Sequence, residues 1–119
     1  MDGHRDIEER TFAFALSIIS LCQQLEHKSG TGRLLARQLL RSGTSVGANV
    51  EEAQAGQSRA DFISKYSIAL KEVRETHYWL RLLTESRIVA GDVMQPLISE
   101  ADELRRVLGA IVSRSKRKP

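Results

Sequence analysis

One stretch of the chain, Arg41–Ser58, limits the possible folds more than any other. It is rich in glycine and serine, and each glycine costs about 1 kcal/mol relative to alanine in a helix interior. Even so, small and apolar residues recur along it at alternating steps of four and three, as on one face of an α-helix. They are Leu39, Gly43, Val46, Val50 and Ala53. The pattern favours one continuous helix, and the alternative is a loop that joins two short helices.

The small residues of this helix need a physical reason. Gly43 and Gly47 are four residues apart and therefore share a face. Because glycine has no side chain, another helix backbone can come closer there than leucine would permit, and the packing gained offsets the lost helix propensity. We therefore expect a closely packed neighbour against this face.

Composition indicates a single all-α domain. The chain has 119 residues, 5% aromatic residues and only two prolines, and it shows no strand-like alternation. Cys22 is the only cysteine, which excludes an intramolecular disulfide and a cysteine-based zinc site. We expect no signal peptide, because Met1–His4 does not resemble the start of one, and the sequence given has no apolar run of the about 18 residues that a membrane span requires. We expect a cytoplasmic protein with no membrane partner.

Hydrophobic periodicity predicts four helices at about 7–26, 33–55, 59–86 and 93–114. Ser58 is the predicted N-cap of the third helix. The connections are short, so neighbouring helices must be antiparallel, and residues 1–113 should form an up-down-up-down four-helix bundle. Residues 114–119 are predicted to be a flexible basic tail. The formal net charge is +3, and Arg114, Lys116, Arg117 and Lys118 alone supply +4, so the rest of the chain carries −1.

The first and third helices are more apolar than one buried face requires. Helix one carries two stripes, one containing Phe12, Leu16 and Ile19 and the other built around Phe14 and Ile18. Trp79 and Leu82 lie off the main stripe of helix three. Either these residues are covered within one subunit or they contact a second copy. We expect an oligomer contact, with these candidates: Phe14, Ile18, Leu21, Trp79 and Leu82.

Two segments carry a family resemblance. Arg41–Ala53 (RSGTSVGANVEEA) and Ser67–Leu83 (SIALKEVRETHYWLRLL) resemble the four-helix-bundle proteins encoded in intervening sequences of bacterial 23S rRNA genes, which are related to the accessory variability proteins of diversity-generating retroelements. The resemblance covers nearly the whole chain. It implies an antiparallel bundle that assembles as a ring-like homopentamer, with no established enzymatic activity. The related accessory proteins bind nucleic acid, so the resemblance implies nucleic-acid binding as an alternative function for this chain.

Helix two carries two polar patterns that are candidate sites. A stripe at steps of three, four and three is either a small binding site or a network that fixes helix register, and we favour the network: Ser42, Ser45, Asn49 and Glu52. A row of arginines four residues apart is either a solvated face or a phosphate contact that the basic tail extends. The candidate nucleic-acid-binding residues are Arg33, Arg37, Arg41, Arg114, Lys116, Arg117 and Lys118.

The residues show no spacing that supports catalysis or cofactor binding. His4, His27 and His77 are scattered, and no Glu-x-x-His pair of the di-iron type is present. We therefore expect no enzyme, no metal, no cofactor and no small-molecule substrate. The leading hypothesis is a homo-oligomeric scaffold or adaptor, and the alternative is an accessory protein that binds structured RNA or DNA.

Overall fold

Four α-helices contain most of the residues that the computed structural model describes, which are residues 3–28 and 30–117. They are α1 (Gly3–Leu25), α2 (Thr31–Gln54), α3 (Arg59–Glu85) and α4 (Gly91–Arg117). No strand occurs in these two ranges. The all-α, four-helix prediction is therefore confirmed, and the predicted bounds differ from the observed ones by at most four residues.

Successive helices are antiparallel neighbours. Cys22 near the end of α1 lies beside Ala36 near the start of α2, whereas Thr11 lies beside Gly47, further along α2. Helices α2 and α3 pack in the same way, as do α3 and α4, and among the helix pairs that are in contact α1 and α4 have the smallest contact. The molecule measures 50 × 21 × 21 Å, so the two ends of the bundle are far apart.

Helix α2 is continuous through its glycine-rich stretch, as predicted. Gly43 and Gly47 both face α1: Gly43 packs on the side chain of Ile18, and Gly47 packs on the backbone at Thr11. A β-carbon at Gly47 would lie 3.3 Å from the Thr11 carbonyl oxygen, closer than ordinary van der Waals contact. The two glycines therefore set the spacing between α1 and α2.

The core is one cluster to which all four helices contribute. Apolar residues at steps of three and four on each helix meet along the bundle axis and lose their contact with water, which is the main stabilising contribution to the fold. The largest fully buried side chains are Ile7, Ile18, Leu25, Leu39, Val46, Val50, Tyr66, Leu80, Leu83, Met94, Leu104 and Leu108.

The helices begin and end in different ways. Ser58 caps α3 as predicted, because its hydroxyl accepts a hydrogen bond of 3.1 Å from the Asp61 backbone N–H. Gly30 precedes α2 in the left-handed region at a φ of 66°. After α3 the left-handed position belongs to Arg87, at a φ of 64°, although glycine is the usual residue there.

The predicted flexible tail is wrong for residues 114–117. Helix α4 continues to Arg117, so Arg114, Lys116 and Arg117 extend its last turns. Arg59 at the start of α3 donates a hydrogen bond of 2.9 Å to the Ser115 carbonyl oxygen, and cations near a helix C-terminus also interact favourably with its dipole. Lys118 and Pro119 lie outside the described residues.

Candidate functional site

The predicted oligomer contacts on α1 are wrong. Phe14, Ile18 and Leu21 are 2%, 0% and 4% exposed and belong to the core of one subunit. Their stripe faces the bundle axis, because Ile18 packs on Gly43 of α2. A second copy could reach these side chains only if the bundle opened.

Trp79 and Leu82 are half-buried at the edge of the bundle. Trp79 packs against the core of its own subunit, and its indole N–H donates a hydrogen bond of 3.1 Å to the Glu75 carboxylate. These contacts favour the alternative that Trp79 covers the edge of one subunit.

A row of exposed apolar side chains lies on the other stripe of α1, whereas the further large exposed residues Leu34, Tyr78 and Val93 lie on other helices. Phe12, Leu16 and Ile19 are 59%, 54% and 36% exposed, and their spacing of four and three places them in one row. On α2, Leu40 is 40% exposed. We call these four residues the α1–α2 surface. The sequence showed both stripes of α1, but only the position of the bundle axis decides which stripe stays outside.

A half-open groove of about 540 Å³ continues the α1–α2 surface between the end of α1 and the start of α2. Its lining combines the apolar Ile19, Ala36 and Leu40 with polar and charged residues, which are Gln23, Glu26, His27, Arg33 and Arg37. Apolar residues beside charged ones are typical of surfaces that bind other proteins.

Cys22 also lines this groove but is not chemically activated. Burial, together with the nearby Glu26 carboxylate, raises the pKa of the Cys22 thiol to about 11. Its Sγ lies 3.4 Å from the Ala36 carbonyl oxygen, to which the thiol donates a weak hydrogen bond. Since the thiolate is the reactive form of cysteine, Cys22 is a packing residue and not a nucleophile.

The predicted nucleic-acid patch is not continuous. Arg33 lies near the start of α2, next to Gly32, which packs on Ile88 in the connection between α3 and α4. The end of α4 lies at the opposite end of the bundle, where Ser115 contacts Arg59. The arginine row and the basic residues of α4 therefore cannot extend one another.

The row itself is also divided, because Arg41 is held by α3. Its guanidinium forms an ion pair of 3.2 Å with the buried Glu72 carboxylate and a second, shorter one with Glu75. Arg33 and Arg37 are exposed and make no ion pair with a described carboxylate. Only these two arginines of the row are available to a partner.

The predicted polar network is a set of separate pairs. The Ser42 hydroxyl lies 2.9 Å from the Thr76 hydroxyl and is the buried link between α2 and α3. The Asn49 amide donates to the carbonyl and hydroxyl oxygens of Ser45, at 2.9 Å and 3.1 Å. Glu52 forms an ion pair with Lys65 of α3. The four residues do not converge on one point, so they do not form a binding site.

Residues 3–28 and 30–117 contain neither a metal-ligand cluster nor a membrane-spanning helix. No three His, Cys, Asp or Glu side chains in this part of the chain lie close enough together to hold a metal ion. None of its helices combines the length and the apolar character needed to cross a membrane.

Comparison with known proteins identifies the family. The model of the 23S rRNA-intervening sequence protein family matches residues 4–110. A crystal structure from Bacteroides thetaiotaomicron VPI-5482, of a protein with unknown function from the S23 ribosomal protein family, is 37% identical, with a TM-score of 0.85. The match covers 92% of this chain and 97% of that one. No protein of curated function matches the chain. These matches confirm the resemblance seen in the sequence, and the chain belongs to the 23S rRNA-intervening sequence protein family.

Proposed function

We propose that this protein is a non-enzymatic scaffold whose copies associate through the α1–α2 surface. The observation that carries the proposal is the row of Phe12, Leu16 and Ile19, which leaves large apolar side chains in water along one side of α1. Burying such side chains against another copy is favourable by roughly 25 cal/mol for each Å² removed from water. Large aromatic and aliphatic side chains at the centre of an interface commonly supply most of its binding energy.

The surroundings of this row support the same proposal. Leu40 and the groove extend the apolar area onto α2, and the lining of the groove includes the exposed Arg33 and Arg37, which pair with no carboxylate of the described residues. Charged side chains beside an apolar centre resemble the polar rim of an interface, which stays in contact with water when the centre is covered. The ring-like homopentamer implied by the family resemblance is the assembly that we expect.

The absence of enzymatic function is part of the proposal. The groove beside the α1–α2 surface contains one cysteine, whose raised pKa keeps it protonated at neutral pH. Catalysis by an activated nucleophile needs an adjacent base and a third group that orients the base. Among the residues that line the groove, Cys22 has a backbone carbonyl as its hydrogen-bond partner instead of a base.

Nucleic-acid binding through helix two and the end of α4 is the weaker alternative. It requires Arg33, Arg37 and Arg41 to act together with the basic residues after position 113. Arg41 is engaged with Glu72 and Glu75, and the end of α4 lies at the far end of the bundle. No observation favours this arrangement over the scaffold.

Charge introduced into the α1–α2 surface tests the proposal. The variant Phe12→Glu/Leu16→Glu should elute as a monomer in size-exclusion chromatography with light scattering at about 10 µM, because burying two carboxylates in an apolar interface is strongly unfavourable. Val93→Glu is the matched control: Val93 is an apolar residue, 51% exposed, at the start of α4, and its variant should keep the wild-type mass. Circular dichroism confirms that both variants fold. Wild-type mass in a folded double variant would remove the α1–α2 surface from the assembly.

A further inference from the structure

The outward face of α3 carries a row of cations with an aromatic residue between them. Lys71, Arg74, Tyr78 and Arg81 follow one another at steps of three, four and three, so they share one face of the helix. All four are exposed, and the Tyr78 side chain is 51% exposed. The row spans about 15 Å along the helix axis at 1.5 Å per residue. We call it the α3 row.

The carboxylates on neighbouring faces are already paired with other cations. Glu72 and Glu75 of α3 bind Arg41 of α2. Asp102 of α4 binds Arg105 and Arg106, each at 2.7 Å.

The positive charge of the α3 row is therefore not neutralised locally. Its three cations make no ion pair with any carboxylate in residues 6–28 and 30–117. Glu85 continues the same spacing beyond Arg81 and marks the acidic end of the row. The row is thus a local positive site on a chain whose charge outside its basic end is −1.

Tyr78 is held in position by a chain of contacts. Its ring packs edge-on against the indole of Trp79, with the ring centroids 5.3 Å apart. The Trp79 N–H is bound by the Glu75 carboxylate, which is in turn bound by Arg41 of α2. Contacts from α3 and α2 therefore orient the Tyr78 ring, while half of its side chain is exposed to water. A ring oriented in advance loses little conformational entropy when a ligand stacks on it.

We propose that the α3 row binds single-stranded nucleic acid, with phosphates on Lys71, Arg74 and Arg81 and a base stacked on Tyr78. Basic side chains that follow a backbone and an aromatic ring that stacks a base are the two components of binding to single strands. A duplex keeps its bases stacked inside and cannot present one to the ring. An acidic protein would satisfy the cations but would gain nothing from the face of the tyrosine.

The α3 row and the α1–α2 surface can be occupied at the same time. Helices α1 and α3 are not adjacent in the described bundle, since no Cα atoms of the two helices lie within 8 Å of each other, and the two surfaces lie on different helices. Binding at the α3 row therefore does not depend on self-association. If the copies assemble, several rows act on one strand, and the overall affinity increases without any new contact.

Fluorescence anisotropy with a labelled 12-nucleotide oligouridylate tests the proposal on the full chain at 50 mM salt. Tyr78→Ala should weaken binding about tenfold, whereas Tyr78→Phe, which keeps the ring, should stay within about twofold. The triple variant Lys71→Ala/Arg74→Ala/Arg81→Ala should bind at least tenfold more weakly. It should also reduce the slope of log affinity against log salt by about 2, since each single-strand phosphate contact contributes about 0.7.

The matched control is Lys28→Ala/Arg87→Ala, which removes two exposed cations that belong neither to the α3 row nor to the α1–α2 surface. Its affinity should stay within about twofold of wild type. All substituted side chains are exposed, so the variants should fold, and circular dichroism checks this. Three results would overturn the proposal: no binding to oligouridylate at 20 mM salt, a duplex of the same length bound as tightly as the single strand, or equal losses for the control and the triple variant. Oligouridylate bound as tightly by Tyr78→Ala as by wild type would overturn the role of the ring.

Discussion

Gly43 of α2 packs directly on Ile18 of α1: a β-carbon at position 43 would lie 2.8 Å from Ile18 Cγ2 and 3.2 Å from Ile18 Cβ. Ile18 is fully buried and β-branched, so its side chain has little freedom to move aside. Gly43→Ala should therefore lower the free energy of unfolding by about 1–3 kcal/mol, the usual cost of overpacking, although alanine is the better helix former. Urea unfolding followed by circular dichroism measures the change.

Gly109 provides the matched control for this substitution. It lies inside α4, and a β-carbon there would meet nothing within 4 Å. Gly109→Ala should therefore raise the free energy of unfolding by up to about 1 kcal/mol, which is the helix-propensity difference alone. If both alanine variants were more stable than wild type, Gly43 would not be required by close packing.

Arg87 offers a test of backbone strain after α3. Its φ of 64° lies in the left-handed region, which disfavours residues with a side chain by roughly 1 kcal/mol. Arg87→Gly should therefore raise the thermal midpoint, and scanning calorimetry measures it. Gly30 has nearly the same φ, of 66°, so Gly30→Ala should have the opposite effect. A decrease for Arg87→Gly would mean that the arginine side chain makes a contact that outweighs the strain.

The variants Arg41→Ala and Arg37→Ala should change the free energy of unfolding by different amounts, because of these two arginines only Arg41 forms ion pairs with described carboxylates. Arg41→Ala leaves the buried Glu72 carboxylate, 7% exposed, without its cation and should cost about 1–3 kcal/mol of unfolding free energy. Arg37→Ala removes an exposed, unpaired side chain and should change stability by less than about 0.5 kcal/mol. Chemical denaturation compares the two, and equal effects would mean that the ion pair contributes nothing measurable. Glu72→Gln should partly rescue Arg41→Ala by removing the unpaired charge.

Cys22 should make stability depend on pH in the alkaline range. Burial raises the pKa of its thiol from 9.0 to about 11 in the folded chain. Between these values the unfolded chain releases the thiol proton and the folded chain keeps it, so the free energy of unfolding falls as pH rises from 9 to 11. The stabilising contribution of the Cys22 thiol is fully present below pH 9 and is lost progressively as the pH rises from 9 to 11.

The Cys22 contribution can be isolated by comparison with Cys22→Ala, since lysines and tyrosines titrate in the same range in both proteins. Denaturation at pH 8, 9, 10 and 11 should show the stability difference between wild type and variant shrinking as pH rises. A difference that stays constant over this range would contradict the raised pKa.

The fold could be predicted from the sequence because its signals are local. Alternating steps of three and four predicted each helix, and Ser58 indicated the start of α3. The pair Gly43 and Gly47 predicted a close contact with another helix. Each of these signals lies within one helix or at its end, so it can be recognised in the sequence without knowing where the other helices lie. The end of α4 was missed because the contact that holds it comes from Arg59, more than fifty residues away.

The candidate surfaces could not be predicted in the same way. Helix α1 has two apolar stripes, and the choice between Phe14 and Phe12 as the exposed one depends on where three other helices lie. Likewise, a row of arginines does not reveal that Arg41 is bound by α3 or that α4 ends at the far side of the bundle. The α3 row was visible as a spacing, but its significance came from the ion pairs that occupy the neighbouring carboxylates.

The central claim is that the exposed α1–α2 surface brings copies of this chain together. Sedimentation equilibrium of the wild-type protein between about 0.5 and 50 µM tests it most directly, since the method gives mass without a surface or a label. We expect a mass of two or more times 13.3 kDa, with five copies as the expected number. A single species of 13.3 kDa throughout this range would contradict it.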